Sequence, residues 1–344
     1  MNTIQFEPIK TTITPQFWTE LMSFKLYDAK LDSQKVEIKG WYEGGRYKRL
    51  KAVLKPTAAT STSSTNKDQY NIYEAPATVS LQEFHSDSAT SRDKKAQGWQ
   101  CICGDLYNTN TIEEFLKLDR NNLMKEYTKQ IQQDIESGRA TKDPSLLFRF
   151  IATTFADLKK YKFYYWLGYP SIVEKVQSKG LSNGDNADLY SKLELAVDKY
   201  GEKEEYKRHT ERKDGQTEIF CIGRRKGKNE IGSTQEGRSG QINIEDGSGN
   251  EAVWKIGNLV EWEDMEQDPS IEKVMVGFID PTGNREKMGW MLRNIMVWLR
   301  RWHRKGGEEG GIEILSFRDY KYTENYQSLV VTVDSNVNEV GKSD

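Results

Sequence analysis

Apolar residues come in short runs along this chain, and the spacing within the runs switches between two and nearly four residues. In residues 14–26 (TPQFWTELMSFKL) the spacing is helical, with Thr14 as cap and Pro15 at the first helical position, where a missing N–H is harmless. Val36, Ile38 and Trp41 predict a strand that runs into the turn GWYEGG. Thr111 and Glu114 have capping-box spacing, and Asp119 caps a second helix whose stripe of Leu123, Tyr127, Ile131 and Ile135 recurs every fourth residue until Gly138. That stripe is a core-packing face.

Residues 146–154 (LLFRFIATT) and 162–169 are rich in β-formers, and ADLKKY between them predicts a turn. The pair reads as a hairpin whose second strand lies inside a sheet. A strand buried on one face alternates apolar with polar residues, yet Phe163, Tyr164, Tyr165 and Trp166 are consecutive. Phe163 and Tyr165 point to one face, Tyr164 and Trp166 to the other. One pair is expected in the core, and the second under another layer or along a groove.

Further on, residues 179–249 lose periodicity in charged, Gly- and Ser-rich sequence apart from TEIFCIG at 217–223, and TAATSTSSTN at 57–66 has the composition of a disordered loop. Periodicity returns at 252–262, in the apolar strand VMVGFID stopped by Pro281, in a helix at 289–304, and in strands at 311–319 and 328–334. Strands outnumber helices without steady strand-helix alternation, which predicts an α+β fold of mixed and antiparallel sheets with a few packed helices. The same pattern divides residues 1–334 into two ordered lobes, 1–178 and 250–334, with low-complexity insertions at 57–95 and 179–249 and a tail at 335–344.

Composition narrows the chemistry. The 344 residues carry a formal net charge of −2, with 36% hydrophobic and 30% charged residues, and so lack the basic excess on which nucleic-acid binding draws. Three cysteines, an opening MNTIQFEPIK without a basic and apolar leader, and no membrane-length apolar run point to free thiols in a reducing cytosol, with no stable membrane insertion. His85, His209 and His303 stand far apart in polar or basic surroundings and suggest neither zinc nor a Ser-His-Asp set. Cys101 and Cys103 in WQCICGD form a CxC without a second Cys or His pair, and the flanking Trp99, Ile102 and Gly104 supply no cation to activate a thiolate. Neither GxGxxG after a strand nor GxxxxGK[ST] is present. No catalytic, cofactor-binding or metal-binding residue is expected in this chain.

Two basic clusters remain, RRKGK at 224–228 and RRWHRK at 300–305. The first has the character of a solvated charge run, and the second ends a helix, where cations complement the helix dipole. On a helical wheel Met291, Leu292, Ile295, Met296, Trp298, Leu299 and Trp302 share one broad face, and Arg293, Asn294, Arg300 and Arg301 the other. A sheet is the expected cover for the apolar face. The competing readings are a module that lays Trp298, Arg300, Arg301 and Trp302 on anionic membrane or RNA, and an enzyme that works through Cys101 or Cys103.

TFADLKKYKFYYWLGYP, with DLYNTNTIEEFLKLDR before it and GFIDPTGNREKMGWMLRN after it, resembles the N-terminal domain of the autophagy-related ubiquitin-like-modifier-activating enzymes, the seventh of the autophagy-related proteins. The opening FEPIKTTITPQFWTELMSFKL is similar as well. The resemblance implies an α+β domain, active in autophagy and its protein transport, that recruits the autophagy conjugating enzymes for both modifiers and through them meets the ubiquitin-like modifiers. It implies that ATP, the thioester cysteine and a zinc site belong to a C-terminal domain beyond Asp344. This chain is then the recruiting half or a truncated competitor, expected as a monomer in the cytoplasm and drawn to the autophagosome assembly site. A flexible, acidic partner segment docking in a groove needs aromatic ground and a basic rim. Lys159, Lys160, Lys162, Tyr164, Tyr165 and Trp166 are the residues expected to provide them.

Overall fold

The computed structural model of the chain describes residues 2–29, 32–33, 35–43, 78–83, 99–173, 177–182, 219–225, 241–245, 251–282, 287–302, 311–318 and 329–333. Among them, six strands form one sheet in the order β3 (Lys10–Ile13), β5 (Thr78–Glu83), β4 (Val36–Glu43), β6 (Trp99–Thr109), β7 (Arg149–Asp157), β8 (Lys162–Gly168). Its β3/β5 and β6/β7 pairs are parallel, and the others antiparallel. Eight strands form a second sheet in the order β1 (Asn2–Thr3), β9 (Gln177–Ser182), β16 (Leu329–Val333), β15 (Ile312–Phe317), β13 (Ile271–Ile279), β10 (Ile219–Arg225), β12 (Glu251–Gly257), β11 (Gln241–Glu245). Within it β13/β15 is parallel and the remaining pairs are antiparallel. The short β2 (Phe6–Glu7) and β14 (Met288–Gly289) pair with each other. This is the mixed-sheet α+β class that the sequence predicts.

The helices start and stop where local chemistry directs. In α1 (Pro15–Ser23) the Phe17 N–H donates to Thr14 Oγ1 at 3.4 Å, Pro15 fills the first position, and Phe17 and Leu21 turn inward before the backbone widens into a π-turn at Phe24–Asp28. Helix α2 (Ile112–Lys117) has both halves of the Thr111/Glu114 capping box, and α3 (Arg120–Glu136) is capped by Asp119 accepting from the Asn122 N–H at 3.0 Å. Tyr127, Ile131 and Ile135 bury its predicted stripe, and Gly138, at a φ of 76°, ends it in the left-handed region that glycine tolerates. With α4 (Arg139–Lys142) these helices make the crossover that the parallel β6/β7 pair requires. They cover the sheet face that carries Asp105 and Tyr107. There the Tyr127 and Tyr107 hydroxyls meet at 3.0 Å, Tyr127 donates to Asp105, and Lys35 pairs with Asp105 at 3.2 Å.

Several predicted segments change character. The strand that was to turn after Trp41 continues through Glu43, with Trp41 and Tyr42 both buried. WQCICGDLYNT, read only for its cysteines, is the eleven-residue β6. Within residues 179–249 the strand predicted at 217–223 forms at 219–225 as β10, and β11 and most of β9 are strands as well. The segment 57–66 lies outside the described residues.

Helix α6 (Leu292–Trp302) packs against α3 and buries Leu292, Ile295, Met296, Trp298 and Leu299, while Trp302 at its end stays partly exposed and donates its Nε1–H to the Ile135 carbonyl at 2.8 Å. Trp298 meets Trp262 of α5 (Trp262–Gln267) edge-on at 6.0 Å and donates its Nε1–H to Thr141 Oγ1 at 2.8 Å. One contiguous core therefore runs from Phe17 and Leu21 through Ile131 and Ile295 to Val276 and Ile314. The helical wheel errs at Asn294. Assigned there to the polar face, it is buried, because backbone groups from two loops need a donor and an acceptor at that point.

Glycine is required where a ring crosses a neighbouring strand. A Cβ on Gly104 of β6 would stand 2.4 Å from the buried Phe150 ring of β7. Gly104→Ala is accordingly expected to cost about 1–3 kcal/mol through overpacking, read as a lowered urea midpoint. An unchanged midpoint would mean that Phe150 can swing aside.

Candidate partner-docking hairpin

Strands β7 and β8 pair from Asp157↔Lys162 to Ile151↔Gly168, and residues 158–161 join them. The Asp157 carboxylate accepts from the Lys160 N–H at 3.1 Å and stands 3.9 Å from the Lys160 ammonium, which sets the turn. Tyr161 follows with a φ of 51°, a region that bulky side chains rarely adopt, and its side chain is 77% exposed. Lys159, Lys160 and Lys162 are exposed around it.

Among the described residues β8 is the last strand of its sheet, which corrects the expected interior position. On one face Trp18 of α1 stacks on Phe163 at 4.7 Å and 19° and leans against Tyr165 at 5.8 Å. On the other, Tyr164 lies near Phe155 at 5.8 Å and Phe115 of α2 at 6.4 Å. The Arg120 guanidinium there spans Phe115 at 4.6 Å and Trp166 at 5.9 Å, and donates to the Phe115 carbonyl at 2.9 Å.

Neither aromatic pair enters the core, as was expected of one of them. Tyr164 and Tyr165 keep 39% and 52% of their surface, and Phe163 and Trp166 are half-buried. The reason is the edge: short helices cover each face with one or two side chains, and no strand follows among the described residues. All six predicted residues gather on this hairpin but not on one face. Tyr164 and Trp166 share the side of α2 and α3, and Tyr165 the side of α1. Sequence reasoning missed the supports Trp18, Phe115 and Arg120. Trp18 had a signal, an aromatic one position from the inward Phe17.

The other candidates fare differently. No three His, Cys, Asp or Glu side chains come together as a metal site among the described residues. His85, His209 and His303, and the cluster residues 226–228 and 303–305, lie outside them. Arg224 pairs with Glu272 at 3.8 Å. Of the four residues in the membrane or RNA reading, Trp298 is buried, Arg300 is half-buried, and Arg301 and Trp302 are exposed; none of the described helices is long and apolar enough to cross a membrane. Cys221 is buried, donates to the carbonyls of Gly257 and Asn258, and has its thiol pKa pushed up by burial.

A model of the family described as "Ubiquitin-like modifier-activating enzyme ATG7 N-terminus" matches residues 4–343. The chain is 28% identical over 328 residues to the ubiquitin-like modifier-activating enzyme ATG7 of Gallus gallus, covering 92% of this chain and 36% of that protein. It is 28% identical over 327 residues to ATG7 of Homo sapiens, covering 93% and 37%. The chain thus spans little more than a third of the length of these curated relatives. Among solved structures, Atg7NTD of Kluyveromyces marxianus superposes with a TM-score of 0.54 at 18% identity over 96% of this chain and 89% of that one. The Atg7NTD-Atg10 complex from the same organism gives 0.51 at 17% identity over 97% and 88%. At these identities the two structures speak for the fold.

Proposed function

Because the chain belongs to the family of the ubiquitin-like modifier-activating enzyme ATG7 N-terminus, we propose that it is a non-catalytic recruiting domain that holds autophagy conjugating enzymes for modifier transfer. The docking ground is the β7–β8 hairpin: Tyr164 and Tyr165 exposed along the edge strand, Trp166 beneath Arg120, and Lys159, Lys160 and Lys162 at the turn. The observation that carries this reading is the pair of tyrosines that lean on neighbouring rings yet stay open on both sides of one edge. Aromatics already braced by neighbouring rings lose little entropy on binding and serve as anchors, and the lysines attract an acidic segment. A relative of this fold solved in complex with Atg10 adds support. ATP and zinc belong, on this reading, to the part of the relatives that this chain does not span. We place the domain in the cytoplasm, drawn to the autophagosome assembly site with its partners.

Isothermal titration of the chain with each autophagy conjugating enzyme, without ATP, tests the reading. Binding is expected to at least one of them, weakened on the order of tenfold or more by Tyr165→Ala. Lys159→Glu/Lys160→Glu/Lys162→Glu is expected to weaken it too and to flatten its salt dependence. Failure of the folded chain to bind either enzyme would sink the proposal.

A further inference from the structure

Sheet register places around Cys103 what its sequence neighbours lack. Alternate residues of a strand share a face, so Cys101 and Cys103 stand side by side on β6. Residues directly opposite on adjacent strands share that face as well. Cys103 is opposite Lys39 of β4 on one side and Arg149 of β7 on the other, so its thiol sits in one cross-sheet row between two cationic side chains. Cys101 occupies the next row, opposite Trp41. Cys103 is half-buried and Cys101 fully so, which leaves the first open to a small reagent and shelters the second.

We propose that Cys101 and Cys103 form a peroxide-reactive dithiol, with Cys103 as the attacking thiolate and Cys101 as the resolving thiol. The Cys103 thiolate attacks one oxygen of hydrogen peroxide, the O–O bond breaks, and hydroxide leaves and takes up a proton, which makes Cys103 a sulfenic acid. The Cys101 thiol, giving up its proton, attacks the Cys103 sulfur and displaces hydroxide, which departs as the second water. Two thiols and one peroxide become one disulfide and two waters, the peroxide being the oxidant. The Cys103 pKa lies below its ordinary value, chiefly through the hydrogen bond with Cys101 and further through Lys39 and Arg149, against the opposing effects of burial and Glu37. Alternate Cα atoms of a strand stand about 6.6 Å apart, at the long end of what a disulfide spans. Closing the bond therefore draws in β6 between β4 and β7.

The test treats the intact chain with hydrogen peroxide at neutral pH and reads the products by mass spectrometry, with dimedone as the sulfenic-acid trap. The expected product has lost two hydrogens within one peptide holding Cys101 and Cys103, with Cys221 unchanged. Cys101→Ser is expected to trap dimedone on Cys103 instead. Lys39→Gln/Arg149→Gln, folded as judged by circular dichroism, is expected to slow the reaction on the order of tenfold. In the unmutated chain, alkylation of Cys103 no faster than of buried Cys221 would overturn the proposal, as would a disulfide formed between two chains in place of the internal one.

Discussion

Asp280→Ala is expected to lower folding stability by about 3–5 kcal/mol, since it strands a buried guanidinium. Asp280 and Arg318 are both buried. Asp280 Oδ2 accepts from Arg318 Nη2 at 3.0 Å, from the Ser316 hydroxyl at 2.6 Å and from the Gly289 N–H at 2.9 Å, while Oδ1 accepts from the Thr282 N–H at 2.9 Å. Arg318 donates in turn to the Lys287 carbonyl at 2.7 Å. One carboxylate thereby ties the ends of the parallel strands β13 and β15 to the segment that leads into α6. This accounts for the run GFIDPTG: β13 ends at the carboxylate, which holds the following turn through Thr282. It accounts for Gly289 as well, where a Cβ would stand 2.1 Å from Asp280 Oδ1. Equilibrium urea unfolding is the measurement. Because the loss comes mostly from the abandoned cation, Asp280→Ala/Arg318→Met is expected to recover a large part of it. A single-variant loss below about 1 kcal/mol would give this pair the weight of a surface ion pair.

The features legible in the sequence were those decided within about one helical turn. Thr14 with Pro15, Thr111 with Glu114, Asp119 and Gly138 each act on residues three or four positions away, and each stands where it was placed. What the sequence hid depends on register between distant segments. The cations beside Cys103 come from β4 and β7, so a scan of Trp99, Ile102 and Gly104 had no means of finding them. Consecutive aromatics in an interior strand imply that at least one pair is buried in the core. An edge strand whose rings lean on Trp18, Phe115 and Arg120 satisfies the same composition while leaving both tyrosines open. Polarity misled at Asn294 in the same way, since a wheel records angle and does not show which backbone groups wait on the buried side.

Asn294→Ala is expected to cost about 3 kcal/mol, because one buried amide serves three backbone groups at once. Its Nδ2 donates to the Leu147 carbonyl at 2.8 Å and to the Pro170 carbonyl at 3.2 Å, and its Oδ1 accepts from the Ile172 N–H at 3.0 Å. Leu147 lies just before β7, and Pro170 and Ile172 just after β8, so both ends of the docking hairpin hang from one side chain of α6. Asn294→Asp separates the hydrogen bonds from mere filling of space: the volume is kept, but two carbonyls then face an acceptor, and the loss is expected to be at least as large as for alanine. Amide exchange gives the local readout, with Ile172 expected to exchange faster in both variants while the α3 amides keep their protection. With the side chain only 3% exposed and out of a partner's reach, conjugating-enzyme affinity is still expected to fall in Asn294→Ala, through loosening of the strand that carries Tyr164 and Tyr165. Unchanged exchange at Ile172 together with unchanged affinity would show that the hairpin is held from elsewhere.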